Sequence, residues 1–241
     1  MLARIRFAVD EVACSSCNGS CCLDVVVGIT GYDAWRIAKA RGLRFDEFVA
    51  PATADAGGLG AFRFGDGYAA LMLQKEPREQ RACFFLEDGA DGKRRCGTYP
   101  ARPYVCRVYP MTLRNGCIDL RTDVACAPGA WDMAALDRSM WKCDFDRYDY
   151  EWQLYARVVA AWNAASLDGL PAYYRFVHAA FEAIDPVLQT ASSRKSGDGG
   201  RPEPGSNVAS VFDEDELRES IATRIDEILV ETIAICGNHK R

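Results

Sequence analysis

The sequence predicts an α+β protein in which a cysteine-rich, irregular half with small β-hairpins packs on a mostly helical half, with one more helix after a linker. Three observations predict it. Ten of the eleven cysteines lie in residues 14–143. The same half holds short apolar runs broken by turn residues, whereas apolar residues recur at i, i+3 and i+4 after Asp144. The organisation expected is a cysteine-cluster metal-binding region over 1–143, a helical part of the same domain over 144–190, a disordered linker over 191–210 and a C-terminal amphipathic helix over 211–237.

Each element has a local reason. Thr30 suits the N-cap of a helix over Tyr32–Arg41, with Gly42 as the residue that ends it. Phe45 and Phe48 mark a second short helix that stops near Pro51, and residues 52–60 read as a loop. Phe62–Phe64 and Tyr68–Gln74 flank Gly65-Asp66-Gly67 as a hairpin, and Met111–Leu113 and Cys117–Leu120 flank Asn115-Gly116 as another. Trp152, Tyr155, Val158, Val159 and Trp162 form the apolar stripe of a helix over Tyr148–Ala165. Gly169-Leu170-Pro171 separates it from a helix over Ala172–Ile184. Residues 191–210 hold eleven Gly, Pro or Ser in twenty, a linker composition. Leu217, Ile221, Ile225, Ile228, Leu229 and Ile233 then mark the last helix, whose acidic start at Asp213–Glu216 suits its dipole. That helix is free to associate with the body, a second copy or a protein partner.

Composition excludes several classes. The 241 residues carry a net charge of −5, so no basic field holds a nucleic acid. No apolar run approaches the roughly 18 residues of a membrane span. The start, MLARIRFAVDEVAC, lacks the apolar stretch of a signal peptide, which makes the cytoplasm the expected location. Thiols stay reduced there, so eleven cysteines need a reason other than disulfides. Metal is the leading reason.

The first cysteine block, CSSCNGSCC, spans residues 14–22. A C-x2-C turn aims backbone N–H groups at two sulfurs on one metal, as in zinc and iron–sulfur sites. Cys21 and Cys22 are adjacent. On an extended backbone they would point to opposite faces, so either they serve two centres or only one of them is a ligand. The second block runs from Cys83 to Pro110 and contains Cys96, Arg102-Pro103 and Cys106-Arg107. Arg102 and Arg107 either offset the negative charge of metal-bound thiolates or hold a carboxylate or phosphate.

The C-x2-C-x3-CC block, Cys83-Phe-Phe-Leu, the run Cys96…Tyr99…Arg102-Pro103…Cys106-Arg107…Tyr109-Pro110 and Cys126-Ala-Pro-Gly129 together resemble the YkgJ-like cysteine-cluster family. That zinc- or iron-chelating domain also occurs in flagellin lysine N-methylases. The resemblance covers about residues 10–130 and implies Cys14, Cys17, Cys21, Cys22, Cys83, Cys96, Cys106 and Cys126 as metal ligands. Cys117, Cys143 and Cys236 fall outside the pattern and read as small apolar residues. His178, in an amphipathic helix, and His239, in the tail, read as surface residues.

All-sulfur ligation suits an iron–sulfur cluster, [4Fe–4S] included, or zinc. The aromatic surroundings tilt the reading toward the cluster. Cysteine spacing excludes the radical S-adenosylmethionine pattern, because Asp24 occupies its third position. It excludes the bacterial ferredoxin run as well, because Ser20 does. S-adenosylmethionine has no motif here, and Gly57-Gly58-Leu59-Gly60 lacks the dinucleotide spacing. The expected function is a metal-binding cysteine-cluster protein acting as an oxidoreductase or protein-modifying enzyme, with Arg102, Arg107 and Tyr109 as contacts to a cofactor or substrate. The alternatives are a flagellin-N-methylase-like lysine methyltransferase acting on a protein substrate and a non-catalytic zinc-stabilised or metal-handling module.

Overall fold

The structure, a computed structural model, describes residues 19–76, 81–121, 123–126, 130–195 and 215–238. Among these, seven α-helices and three small antiparallel sheets occur largely in separate runs, as the α+β reading requires. Helix α1 (Ser20–Asp24) leads through an extended stretch to α2 (Gly31–Arg41). Thr30 caps α2 as expected. Its hydroxyl accepts from Asp33 N at 3.0 Å, the Asp33 carboxylate accepts back from Thr30 N at 3.2 Å, and Gly42 closes the other end in the left-handed region. Gly31 lets α2 touch the helical half, because a Cβ there would lie 2.6 Å from Val177 and 2.7 Å from Tyr155.

Helix α3 (Phe45–Phe48) runs straight into strand β1 (Val49–Ala54), which pairs with β3 (Gly67–Leu73), itself paired with β2 (Phe62–Phe64). Residues 52–54 are therefore strand, not loop, and Pro51 does not end the ordered structure. β1 lies at the sheet edge in the order β1-β3-β2, where a proline can turn its missing N–H away from the ladder. Hairpin β4–β5 (Leu86–Asp88 and Arg94–Cys96) and helix α4 (Tyr104–Val108) have no counterpart among the expected elements. Hairpin β6–β7 (Met111–Arg114 and Cys117–Leu120) turns on Asn115 and Gly116, with φ of 50° and 75°, the pair of positive angles that this sequence selects.

Helix α5 (Arg138–Ala164) starts well before the expected Tyr148, because Asp137 caps it by accepting from Ser139 N and Met140 N. Helix α6 (Leu170–Lys195) carries Pro171 in its first turn, passes through Pro186 and continues five residues into the segment read as linker. The last helix, α7 (Asp215–Asn238), packs against α6 and α5.

One large core joins α2, α3, the three-stranded sheet, α5, α6 and α7. Its centre is aromatic: Phe62 stacks on Tyr173 at 3.7 Å between centroids, and the Tyr155 and Tyr173 hydroxyls hydrogen-bond at 2.7 Å. A smaller core of Val108, Met111, Ile118, Trp141 and Phe145 fixes α4 and the β6–β7 hairpin on the first part of α5. No helix among the described residues is long and apolar enough to cross a membrane.

Candidate metal centre

Four separate pieces of chain bring sulfur to one place. Helix α1 supplies Cys21 and Cys22, the segment before β4 supplies Cys83, the end of β5 supplies Cys96 and α4 supplies Cys106. All five line a single cavity of about 690 Å³. The backbone ties the pieces together: Cys83 N donates to Cys22 O at 2.6 Å, and Cys96 sits opposite Leu86 in the β4–β5 ladder. Cys21 and Cys22 lie on a helix, so the extended-backbone premise does not hold. Successive helical side chains diverge by about 100°, and the two sulfurs are 4.0 Å apart, close enough to face one centre.

A buried polar network orients α4, the helix that carries Cys106. Tyr104 N, at its start, donates to Asp33 Oδ1 at 3.2 Å. Asp33 also takes a hydrogen bond from Arg36, which donates to Glu151 Oε1 at 2.8 Å. The Tyr104 ring lies against the guanidinium groups of Arg36, Arg107 and Arg147 at 5.1, 4.5 and 5.3 Å. Arg107 adds a local staple by donating to the carbonyls of Arg102 at 3.1 Å and Pro100 at 3.0 Å.

A family model, CxxCxxCC, described as "Putative zinc- or iron-chelating domain", matches residues 13–132. The chain belongs to the CxxCxxCC family. Neither the curated proteins nor the solved structures gave a match. The match covers every thiol of the cavity and indicates a zinc- or iron-chelating function. The spacing here is C-x2-C-x3-C-C, one residue longer than the family name.

The electrostatics of this CxxCxxCC domain suit cation binding by sulfur. Burial pushes the Cys83 thiol up, the Cys96 thiol up to about 11 and the Cys106 thiol well above its ordinary value. The Cys21 and Cys22 thiols are in hydrogen-bond contact. The hydrogen bond from Cys22 holds Cys21 down at about 7, and Cys22 moves up in turn. Against burial, the N–H groups of Phe85 and Thr98 point at the sulfurs of Cys83 and Cys96, each two residues back, and favour their thiolates. Five soft donors, three of them (Cys21, Cys83 and Cys96) already met by backbone N–H groups, fit a thiophilic metal. Their spacing is open: among the described residues no three His, Cys, Asp or Glu side chains are grouped closely enough to hold one ion as they stand.

The remaining expected residues are placed as follows. Cys14 and Cys17 lie outside the described residues, as does His239. Cys126 does not line the cavity but acts electrostatically on Tyr109, whose hydroxyl accepts from Ala125 N at 2.6 Å. Tyr109 and Arg102 do line it, whereas Arg107 is directed to its staple instead. Cys117 is exposed on β7, Cys143 lies on α5 and Cys236 on α7, and none of them lines the cavity. His178 is exposed on α6, with its ring 5.9 Å from that of Phe45.

Thr98 was not singled out by sequence reasoning, yet it lines the cavity beside Tyr99. The available signal was Cys96-Gly97-Thr98: a small residue after the cysteine lets the next N–H swing onto the sulfur. A Cβ at Gly97 would run into the Glu87 carboxylate.

Proposed function

We propose that this chain is a cytoplasmic cysteine-cluster protein that holds an iron–sulfur centre through Cys21, Cys22, Cys83, Cys96 and Cys106, with Cys14, Cys17 and Cys126 completing the set of eight. The observation that carries the reading is the convergence of five thiols from four chain segments on one cavity. Chain reach supports the additions, since Cys17 is two residues from Gly19, which lines the cavity, and Cys126 lies beside Tyr109.

Sulfur spacing favours iron–sulfur over zinc. With a Zn–S bond of about 2.3 Å, tetrahedral geometry puts neighbouring sulfurs about 3.8 Å apart. The Cys21–Cys22 contact, at 4.0 Å, comes near that, but among the described residues no three such ligands are grouped around one ion. A centre that brings its own sulfide reaches thiolates set further apart. The 4.0 Å pair is also the one observation that favours the second reading, a zinc-stabilised structural module.

When bound, an iron–sulfur centre supplies one-electron transfer, which fits an oxidoreductase or a protein-modifying enzyme. The chain's own residues do the rest. Phe85 N and Thr98 N stabilise two thiolates, the Tyr104 network fixes Cys106, and Val25, Leu73 and Phe145 exclude water.

The test is anaerobic purification followed by assays of iron, zinc and acid-labile sulfide, a visible spectrum and a redox titration. Iron with matching sulfide and visible absorption is expected. Zinc alone would establish the second reading, and protein free of both metals would overturn the two together.

A further inference from the structure

The cavity is far larger than the cysteines need. Its volume of about 690 Å³ lies within the range of small-molecule sites, roughly 300–1,000 Å³. Much of the lining is apolar, with Val27, Leu73, Phe85 and Val105 among its residues. Two polar side chains on that lining keep a donor with no acceptor among the described residues. Thr98 is 2% exposed, and its hydroxyl makes no hydrogen bond. Arg102 is 6% exposed, and its Nη2 is enclosed without an acceptor. An enclosed guanidinium nitrogen left unpaired carries the desolvation penalty of a charged group, which an acceptor in the cavity would relieve.

Arg102 acts on the sulfurs through its charge, which favours the thiolates of Cys21, Cys96 and Cys106, but its Nη2 donates to none of them among the described residues. The donors aimed at Cys83 and Cys96 are backbone N–H groups of Phe85 and Thr98, and among the described residues no hydrogen bond joins Arg102 to a thiol. Nor does a neighbouring carboxylate accept from that nitrogen. Asp144 senses Arg107 ahead of Arg102 and itself has an unpaired, enclosed Oδ2. The Arg102 guanidinium carbon lies 4.2 Å from the centre of the Tyr99 ring, a cation–π contact that takes none of its N–H donors. A planar fork of this kind matches a carboxylate, which it can hold through two parallel bonds.

We infer that the cavity beside the cysteine cluster binds a small organic carboxylate, its acid group on Arg102 and Thr98 and its apolar body along Val27, Leu73, Phe85 and Val105. The site lies next to the proposed metal centre, so a bound acid sits where the centre can act on it or sense it. The geometry of the acid site itself does not depend on which metal is held.

Isothermal titration of the purified full-length chain with hexanoate and with benzoate tests this, with hexylamine and inorganic phosphate as comparators and the metal content of every sample measured. At least one acid should bind more tightly than hexylamine and phosphate. Arg102→Gln should weaken that acid by about tenfold or more, Arg102→Lys less, and Thr98→Val by several-fold. If Arg102→Gln fails to fold or loses its metal, Arg102→Lys and Thr98→Val decide. The inference is overturned if neither acid binds, if hexylamine or phosphate binds as well as the acids, or if the folded variants bind as the unchanged protein does. Acid binding by protein that carries no metal would support the acid site while removing the metal reading, so the two can fail separately.

Discussion

Glu151 gives the protein a pH dependence that can be worked out from its surroundings. The side chain is almost wholly buried on α5; Oε1 accepts from Arg36 at 2.8 Å and Oε2 is enclosed with no partner among the described residues. Asp33 and Arg36 face it from α2, Tyr104 adjoins from α4, and Arg147 approaches to 4.0 Å from its own helix. Loss of water dominates and pushes the carboxyl from 4.5 up to about 7, with Arg36 pulling the other way and Asp33 adding to the rise. A carboxyl raised by folding binds a proton in the folded state that the unfolded chain has already released. Stability attributable to Glu151 is therefore greatest below about pH 4.5, falls as the pH rises and levels off above about pH 7. A rise of about two and a half units corresponds to about 3 kcal/mol over that window.

Glu151→Gln keeps an acceptor for Arg36 and removes the titration. Urea unfolding of both proteins between about pH 5 and about pH 8 should show the variant gaining on the unchanged protein by about 2–3 kcal/mol across the range, whatever the offset at the acidic end. Parallel profiles would refute the placement of this carboxyl as a buried, strained member of the network.

Other substitutions test the remaining links. Cys106→Ser should lower both the bound metal and the melting temperature, read by elemental analysis and calorimetry, whereas Cys117→Ser, on the exposed face of β7, should leave metal stoichiometry unchanged. Thr30→Ala removes the hydroxyl that caps α2 and should cost about 1–2 kcal/mol in denaturant unfolding. Gly31→Ala forces a methyl group against Val177 and Tyr155 and should cost about 1–3 kcal/mol by the same measurement.

Strong local signals were legible in the sequence. Thr30 and Gly42 bounded α2 at both ends, and Asn115-Gly116 fixed the β6–β7 turn because few other pairs accept two positive φ angles. The cysteines announced the site, since eleven thiols in a chain with two histidines point to a metal held by sulfur. What escaped depends on partners remote in sequence. β4 and β5 have three residues each and bury Leu86, and an ion pair of Arg94 with Asp88 helps to hold them together, so no alternation was visible. α4 is a single turn whose anchor, Asp33, lies 71 residues away. The early start of α5 hid behind Lys142, Asp144, Asp146 and Arg147, although Trp141 and Phe145 carried the apolar period of the smaller core. The acid pocket was half visible: Arg102 could be named, but Thr98 gains meaning only once Cys96 has turned its backbone toward the sulfur.

The bond from Cys83 to the carbonyl of Cys22 joins residues 61 positions apart, and Cys106 lies further on still. A ribosome adding about 5–20 residues per second delivers the 84 positions from Cys22 to Cys106 in roughly 4–17 s. During that interval the adjacent thiols of α1 are on the nascent chain without the neighbours that later enclose them. Delivery of the distant cysteines, rather than the affinity of the first pair, therefore sets the earliest moment at which the centre can be filled.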